Sequence, residues 1–428
     1  MSKLFRGLGV FAGRVAVVFV LSQIAFAGGV AVQTKQREKY TSKIATSTAH
    51  ILSSAPTLTP TATAGQLLIS EFRLFGVNGT NDEFIEIFNN SGANHTVAAS
   101  GTGTGYAVAA SDGIVRCTIP NGVTIPNKGH FLCANSVAYS LASYPAGNGT
   151  TATADATYTL DIAPNTGIAL FTTNVPADFS IATRLDAVGS VSETNTLYKE
   201  GTGYGNLTQF FTDHSLYRDN SNGPVIDTDN NANDLVFVDT QGVALGHGQR
   251  LGASGPENLN APIERNAGFT ITLLDFCAAP SLPPNRVRDF TSDPANNSTF
   301  GTLEMRRTVV NNTGAAVTRL RFRIVNITTF PAPVNTADLR ARTSSDVIVT
   351  INGPPCSTPS NVVVRGTLLE ESIFGQQPHG GAFNSSLSVS AITLAAPLAN
   401  GASVNVRFLL GVEQIGNLRF FINIEALP

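Results

Sequence analysis

The loop over residues 227–234, DTDNNAND, carries oxygen-bearing side chains at alternating positions. Asp227, Asp229 and Asn231 hold its first, third and fifth places, the spacing of oxygen ligands around Ca²⁺, and Asp234 could complete a looser site. Its sixth and twelfth places lack the glycine and the glutamate of an EF-hand. Asp and Asn also favour turns, because their side chains bond their own backbone. The loop is therefore either a candidate calcium site or a purely structural turn.

A second candidate group is a pair of carboxylates on neighbouring strands. The stretch NDEFIEIFNNSG alternates like a strand, so Glu86 lies between Phe84 and Phe88 on one face. Such a carboxylate could be a desolvated acid with a raised pKa, and Glu71 on the preceding strand could be its catalytic partner. Structural acids are perturbed in the same way. We interpret Glu71 and Glu86 as structural acids, bonded to backbone N–H groups or to an arginine such as Arg218.

The strand TRLRFRIVNI supplies a third candidate group, because arginines alternate in it with apolar residues. This alternation predicts that the apolar residues face a core and that Arg319, Arg321 and Arg323 face solvent. The three arginines could form a patch for anionic polysaccharide or lipid head groups. They could equally be a solvated sheet face that discourages edge-to-edge aggregation. No aromatic residue occupies the outward positions, so a base-stacking surface for nucleic acid is disfavoured.

The sequence lacks the motifs of nucleophilic and phosphate chemistry. It contains no GxSxG, P-loop or HExxH motif, and its six histidines are scattered along the chain. We therefore predict a protein without catalytic residues, and with no cofactor other than the candidate Ca²⁺.

Composition and the N-terminus indicate export. Charged residues make up 13% of the 428-residue chain, against about 25% in an ordinary soluble domain. Basic residues precede the apolar run VAVVFVLSQIAFA, and Ala25 and Ala27 are small residues placed for signal-peptide cleavage after Ala27. Alternatively, residues 15–32 form an uncleaved anchor, which would be the only contact with a membrane. Either way, we expect a secreted or cell-surface protein.

The four cysteines fit an oxidising compartment. Their spacing matches no zinc motif, because the sequence has no CxxC pair. Of the three possible pairings, the simplest joins Cys117 to Cys133 and Cys277 to Cys356, one bridge in each half of the chain. These bridges would close loops of 16 (133 − 117) and 79 (356 − 277) residues. By chain entropy they would contribute about 3 and about 4–5 kcal/mol. Four buried free thiols are the alternative.

The pattern of the chain predicts an all-β protein of two β-sandwich domains. Residues 28–64 are rich in Ser, Thr, Ala and Pro, which is typical of a disordered linker after the N-terminal signal or anchor helix. From residue 65 the hydrophobic period is two, and short alternating runs are separated by Asn, Gly and Pro clusters. We predict one sandwich over residues 65–255, a linker over 256–268 and a second sandwich over 269–428.

Three stretches of the first predicted domain resemble the lamin-tail domain of exported bacterial proteins. They are LLISEFRLFGVNGTNDEFIEIFNNSG, IPNKGHFL and SLYRDNSNGPVIDTDNNANDLVFV. The match covers residues 65–255, but residue 235 is Leu where relatives tend to have Phe, and residues 139–180 form a long irregular middle. The resemblance implies an immunoglobulin-like sandwich without catalytic apparatus that mediates binding or surface association. An immunoglobulin-like fold is expected for the second sandwich as well.

Together these features predict a non-catalytic binding or structural protein. Its expected partner is a protein or polysaccharide of the cell envelope or extracellular matrix, and not nucleic acid. Two alternatives remain open at this point. One is an exported Ca²⁺-dependent hydrolase that uses Asp227 and Asp229, with Glu71 and Glu86 in the same cleft. The other is a subunit of a surface layer or filament.

Overall fold

The computed structural model describes residues 62–144, 151–221, 223–241, 248–353, 355–371 and 380–428. The predicted signal peptide or anchor, and all but the end of the predicted disordered linker, lie outside these ranges. The described residues belong to one compact unit. Their helices are short, and none combines the length and apolar character needed to cross a bilayer.

The first half of the described chain folds into two main sheets and a small strand pair. Its strands are β1 (Leu67–Arg73), β2 (Phe84–Asn89), β3 (His95–Thr96), β4 (Gly105–Ala110), β5 (Val115–Pro120), β6 (Thr124–Ile125), β7 (His130–Asn135), β8 (Ala156–Tyr158), β9 (Ile168–Phe171), β10 (Arg184–Val188), β11 (His214–Arg218), β12 (Leu235–Asp239) and β13 (Arg250–Leu251). Short 3₁₀ turns cover Pro176–Asp178 and Thr196–Tyr198, and the one-turn helix α1 covers Asn231–Asp234.

Sheet 1 has the order β13-β12-β11-β1-β2-β7-β8, sheet 2 has the order β10-β9-β4-β5, and β3 pairs with β6. The first hydrophobic core lies between sheets 1 and 2. Ile69, Ile85 and Ile87 of sheet 1 belong to the same buried cluster as Val108 and Leu170 of sheet 2. Because strand side chains alternate, this arrangement sends the other half of β1 and β2 to the opposite face of sheet 1.

The second half repeats the plan. Its strands are β14 (Ile263–Glu264), β15 (Phe269–Leu273), β16 (Arg286–Asp289), β17 (Thr302–Asn311), β18 (Arg319–Ile327), β19 (Asp338–Arg342), β20 (Val347–Gly353), β21 (Thr358–Val364), β22 (Leu368–Glu370), β23 (Ser386–Ser388), β24 (Ser403–Gln414) and β25 (Phe420–Leu427). Further 3₁₀ turns cover Asn266–Gly268 and Pro294–Asn296.

Sheet 3 has the order β14-β25-β18-β23-β22. Sheet 4 has the order β15-β17-β24-β19, with β16 paired to β17, and β20 pairs only with β21. The second core lies between sheets 3 and 4, where Phe322 packs edge-on against Phe408 with ring centroids 5.0 Å apart. The prediction of an all-β, sandwich-like protein is thus confirmed.

Both disulfides join the cysteines of the simplest pairing. Cys117 on β5 is bonded to Cys133 on β7, so the bridge links sheets 2 and 1 inside the first core. Cys277 is bonded to Cys356 in the turn between β20 and β21. Two formed bridges and no free cysteine fit an oxidising environment.

The outer face of sheet 1 packs against the outer face of sheet 3, so that four sheets stack in the order 2-1-3-4. Asn384 of the second half donates its side-chain amide to Glu71 of β1 across this junction. The segment over residues 256–268, predicted to be a linker, runs along the junction: Glu257 is buried and β14 pairs with β25.

This packing corrects the prediction for the arginine strand. Alternation along β18 is as expected, because Leu320, Phe322 and Ile324 lie in the second core. The prediction that Arg319, Arg321 and Arg323 face solvent is wrong, since they are only 3%, 2% and 6% exposed. They point away from their own core, but sheet 1 covers that face. They therefore form part of a buried layer and not an exposed anion-binding patch.

Candidate functional site

The junction between sheets 1 and 3 is a buried layer of charged side chains centred on β18 and β25. Glu425 on β25 is directly opposite Arg321 in the strand register. Its two carboxylate oxygens accept from Arg321 Nε and Arg323 Nε, each at 2.6 Å. Burial alone would raise the pKa of Glu425, but the two guanidinium groups outweigh it and hold this pKa below its usual value.

Glu257 extends the layer from the segment that joins the two sandwiches. One of its carboxylate oxygens, Oε1, contacts Arg321 Nη2 and lies 3.0 Å from Arg323 Nη2. The other, Oε2, lies 3.1 Å from Nδ1 of His130 on β7. Glu257 therefore stands between the arginines of the second sandwich and the imidazole of the first.

Glu71 and Glu86 are neighbours in the register of β1 and β2, and both are buried. Glu71 accepts from Ser215 Oγ at 2.6 Å, from the backbone N–H of Gly255 at 3.0 Å and from Asn384. Burial raises the pKa of Glu71 above the ordinary value, against the pull of these hydrogen bonds. Each of these partners lies near the junction, so Glu71 helps to join its two sides.

Glu86 uses its two oxygens differently. Oε2 accepts from the backbone N–H of Glu257 at 2.7 Å, while Oε1 accepts from Ser70 Oγ at 2.5 Å and lies 3.9 Å from His130 Nε2. Burial, followed by the charge of Glu71, raises the pKa of Glu86 well above its usual range. Glu86 is thus bonded to a backbone N–H group, whereas Arg218, which also lines the cavity, is paired with Asp186, Asp227 and Asp234.

His130 enters the layer as a neutral ring. Burial, followed by the nearby charge of Arg323, lowers the pKa of His130 from 6.5 to about 3. Its approaches to Glu86 and Glu257 are therefore contacts of a neutral imidazole and not ion pairs. Nδ1 is buried and has no hydrogen-bond partner of acceptable geometry among the described residues. A neutral imidazole with an unused nitrogen is an available lone-pair donor.

A cavity of about 60 Å³ lies among these side chains. Glu71, Glu86, His130 and Glu257 line it, together with Tyr217, which is opposite Glu71 in the β1–β11 register. Tyr217 is 4% exposed, and its hydroxyl has no hydrogen-bond partner within the described ranges. The cavity thus combines acids, a neutral imidazole and an unpartnered hydroxyl.

The loop over residues 227–234 lies outside this cavity and surrounds Arg218. The Arg218 guanidinium contacts Asp186 Oδ1 at 2.5 Å, Asp227 Oδ1 at 3.2 Å and Asp234 Oδ2 at 3.3 Å. Glu200 lies 3.7 Å away, and its pKa is raised to about 9 by burial and by the charge of Asp186. The guanidinium thus occupies the centre of these carboxylates.

The side-chain oxygens of Asn231 and Asp234 are used in local hydrogen bonds. Asn231 Oδ1 accepts from the backbone N–H groups of Gly189 and Glu200 at 2.9 and 3.0 Å, and its amide donates to Ala187 O. Asp234 accepts from the N–H and the hydroxyl of Thr228. Asp229 is exposed and has a positive φ of 54°. Of the four predicted calcium ligands, Asp227 and Asp234 come together at the Arg218 guanidinium. Asn231 is directed instead at the backbone of Gly189 and Glu200.

Sequence reasoning missed His130, Glu257, Glu425 and Tyr217. Each is an ordinary residue of a strand or connector when considered alone. The available signal was the placement of scarce charges: in a chain with 13% charged residues, acids and arginines recur on one face of β1, β2, β18 and β25. Such charges at alternate strand positions indicate complementary faces that can cover each other.

Comparison with known proteins adds no family to this description. No protein-family model matches the chain, and neither the curated proteins nor the solved structures contain a significant match.

Proposed function

We propose that this protein is an exported, non-catalytic binding or structural protein whose two sandwiches act as one rigid body. One observation carries the proposal: the two acids that could have formed a catalytic pair, Glu71 and Glu86, are held by several donors in a cavity of about 60 Å³. Small-molecule sites usually offer about 300–1,000 Å³. A sugar ring or a phosphodiester does not fit beside these acids.

Export is supported by the signal-like N-terminus and by the two disulfides. The resemblance of residues 65–255 to the lamin-tail domain suggests immunoglobulin-like topology and a role in binding or surface association. The proposed partner is a protein or polysaccharide of the cell envelope or extracellular matrix. The buried charge layer supports the structural part of the proposal, because it fixes how the two sandwiches present their outer surfaces.

The proposal is tested with the secreted full-length protein in two parallel assays. The first measures the release of soluble products from neutral polysaccharides, acidic polysaccharides and phosphodiesters, with Ca²⁺ present. The second measures co-sedimentation with insoluble envelope fractions. We expect the protein to sediment with an envelope fraction and to release no product.

Two results would overturn the proposal. Turnover that disappears in Glu86→Gln would identify an enzyme, because this substitution keeps the shape of the side chain and removes only its acid function. Failure to sediment with any envelope fraction would remove the binding role. Asp346→Asn serves as the matched control, since Asp346 is an exposed acid that, among the described residues, pairs with Arg365 and the Gly366 backbone.

A further inference from the structure

Three metal-ligand side chains converge at the cavity between the sandwiches. His130, Glu86 and Glu257 each offer one donor atom, and the three atoms lie within 4.8 Å of one another. Two ligands of a tetrahedral Zn²⁺ ion are separated by about 3.4 Å when each bond is about 2.1 Å long. His130 Nδ1 and Glu257 Oε2 are 3.1 Å apart, whereas the 3.9 Å approach of Glu86 Oε1 is to the other ring nitrogen, Nε2. Because an imidazole gives one nitrogen to an ion, the ring or the Glu86 carboxylate must shift, over a distance limited by the 4.8 Å that spans the three donor atoms.

The cavity has both the room and the vacant donors that an ion requires. A volume of about 60 Å³ exceeds the roughly 10–15 Å³ that one water-sized sphere occupies. His130 Nδ1 and the hydroxyl of Tyr217 are buried without hydrogen-bond partners among the described residues. Glu86 Oε1 and Glu257 Oε2 face the imidazole, while their second oxygens are held by the Glu257 N–H and by the arginines. These contacts of the second oxygens fix the two carboxylates, so that Glu86 Oε1 and Glu257 Oε2 remain directed toward His130.

We propose that His130, Glu86 and Glu257 bind a divalent transition-metal ion, represented by Zn²⁺, that fastens the two sandwiches together. The donor set decides the class of metal, because imidazole suits zinc-like ions whereas Ca²⁺ prefers oxygen ligands alone. Tyr217 lines the same cavity, and its unpartnered hydroxyl could bond a water molecule that completes the coordination. The ligands come from β2, from β7 and from the connecting segment, and Glu257 contacts the arginines of β18. The ion would thus join the first sandwich to the second.

The proposal is tested on tag-free, full-length protein that has been stripped with a chelator. Zn²⁺ is supplied either to the folded protein or during refolding, so that slow entry into the cavity does not hide binding. We expect one tightly bound equivalent and a higher unfolding midpoint. At a free Zn²⁺ concentration 100 times Kd, the ratio of unfolded to folded protein should fall about 100-fold. X-ray absorption should show nitrogen and oxygen ligands at about 2.0–2.2 Å, including imidazole, and no sulfur.

Variants assign the ion to this site. His130→Asn and Glu257→Gln should each weaken Zn²⁺ binding by more than about 100-fold, because even outer-shell changes at metal sites cost about 10- to 100-fold. Glu83→Gln is the matched control, since Glu83 is also a buried acid but bonds Asn135 and the Ile162 N–H. It should bind Zn²⁺ as the wild type does.

Three outcomes would overturn the site. Wild-type protein that takes up no Zn²⁺, even when refolded with it, would show that protonated carboxyl groups fill the junction without a metal. Unchanged affinity in both ligand variants would place the ion elsewhere. If the variants do not fold, an absorption spectrum of the wild type without imidazole scattering would exclude His130 as a ligand.

Discussion

Asn384 donates its side-chain amide to Glu71 Oε2 at 3.1 Å, which joins two residues 313 positions apart across the junction of the two sandwiches. Asn384 also accepts from Arg323 Nη1 through its side-chain oxygen at 2.8 Å and through its carbonyl at 3.1 Å. One amide thus bridges an acid of β1 and an arginine of β18. The outer faces of sheets 1 and 3 remain charged although they are buried, because some charged groups are paired within their own sheet, as Glu425 is with Arg321 and Arg323, and others are bonded across the junction, as Glu71 is to Asn384.

The first prediction concerns Arg323, which holds Glu425, Glu257 and Asn384. Arg323→Met should lower the free energy of unfolding by about 3–5 kcal/mol, because it removes one of the two guanidinium groups that neutralise the buried carboxylates of Glu257 and Glu425 and leaves only Arg321 beside them. Urea unfolding of the full-length protein measures the change.

The control for this prediction is Arg365→Met. Arg365 pairs with Asp346 on the surface, where the side chains are 42% and 51% exposed. An exposed pair contributes about 0–1 kcal/mol, so this variant should unfold almost as the wild type does. Equal effects of the two substitutions would show that the junction layer does not hold the sandwiches together.

The second prediction concerns pH and the buried acid Glu83. Burial raises the pKa of Glu83 from 4.5 to about 8, although Asn135 and the Ile162 N–H partly oppose the rise. Between these two pH values the folded state binds a proton that the unfolded state has lost. The free energy of unfolding should therefore fall as the pH rises from 4.5 to 8.

Glu83→Gln isolates this contribution, because Asp155 and Glu371 also have raised pKa values, of about 6 and about 8, and act in the same direction. The variant should show a weaker dependence on pH than the wild type, because it has no carboxyl group to titrate; it loses one of the two hydrogen bonds from Asn135 and the Ile162 N–H at both pH values, since an amide nitrogen cannot accept. Urea unfolding at pH 5 and pH 8 provides the comparison. A parallel pH dependence in the two proteins would contradict the raised pKa.

The sequence was sufficient for the fold class because the period of two is local. Alternation in β2 and β18 correctly separated Ile85, Ile87, Leu320 and Phe322 from the charged residues between them. Alternation describes one face relative to the other and does not say what covers the second face. The cover of Arg321 and Arg323 includes Glu71, which is 252 positions from Arg323 in the sequence (323 − 71). A strand with arginines at alternate positions looks the same whether water or a complementary sheet lies above it.

The sequence predicted fewer residues of the candidate site than features of the fold. Glu86 stood out because it lies between two phenylalanines on one face of its strand, and Glu71 because it lies on the preceding strand; both line the cavity. His130 and Glu257 did not stand out, because their significance arises only when β7 and the connecting segment meet. The aspartates of the loop around Arg218 were conspicuous for their spacing, yet spacing does not reveal that a guanidinium already lies among them.

The third prediction distinguishes the two disulfides by their exposure. Cys117 and Cys133 are buried in the first core, whereas Cys356 lies in an exposed turn. A reductant acts by direct attack on sulfur, so access controls its rate. Mild reduction of the folded protein should therefore release Cys277 and Cys356 first. Alkylation followed by peptide mass spectrometry identifies the labelled thiols, and labelling of Cys117 at the same rate would contradict the expected order.

The fourth prediction concerns the loop around Arg218, where the amide of Asn231 and the carboxylate of Asp229 have different roles. Asn231→Ala leaves the buried N–H groups of Gly189 and Glu200 without their hydrogen-bond acceptor. It should cost at least about 2 kcal/mol, because each unsatisfied group costs about 1–3 kcal/mol. Asp229→Asn is the control, since Asp229 is exposed and Asn tolerates its positive φ. It should change the free energy of unfolding by less than about 0.5 kcal/mol.

The same two variants test calcium binding at this loop. Because Arg218 and backbone N–H groups already occupy the oxygens of Asp234 and Asn231, we expect millimolar Ca²⁺ to leave the thermal midpoint of the wild type unchanged. A bound ion would raise that midpoint by mass action. A Ca²⁺-dependent rise that Asp229→Asn abolishes would mean that the loop rearranges to hold the ion, with Arg218 displaced from the centre of its carboxylates.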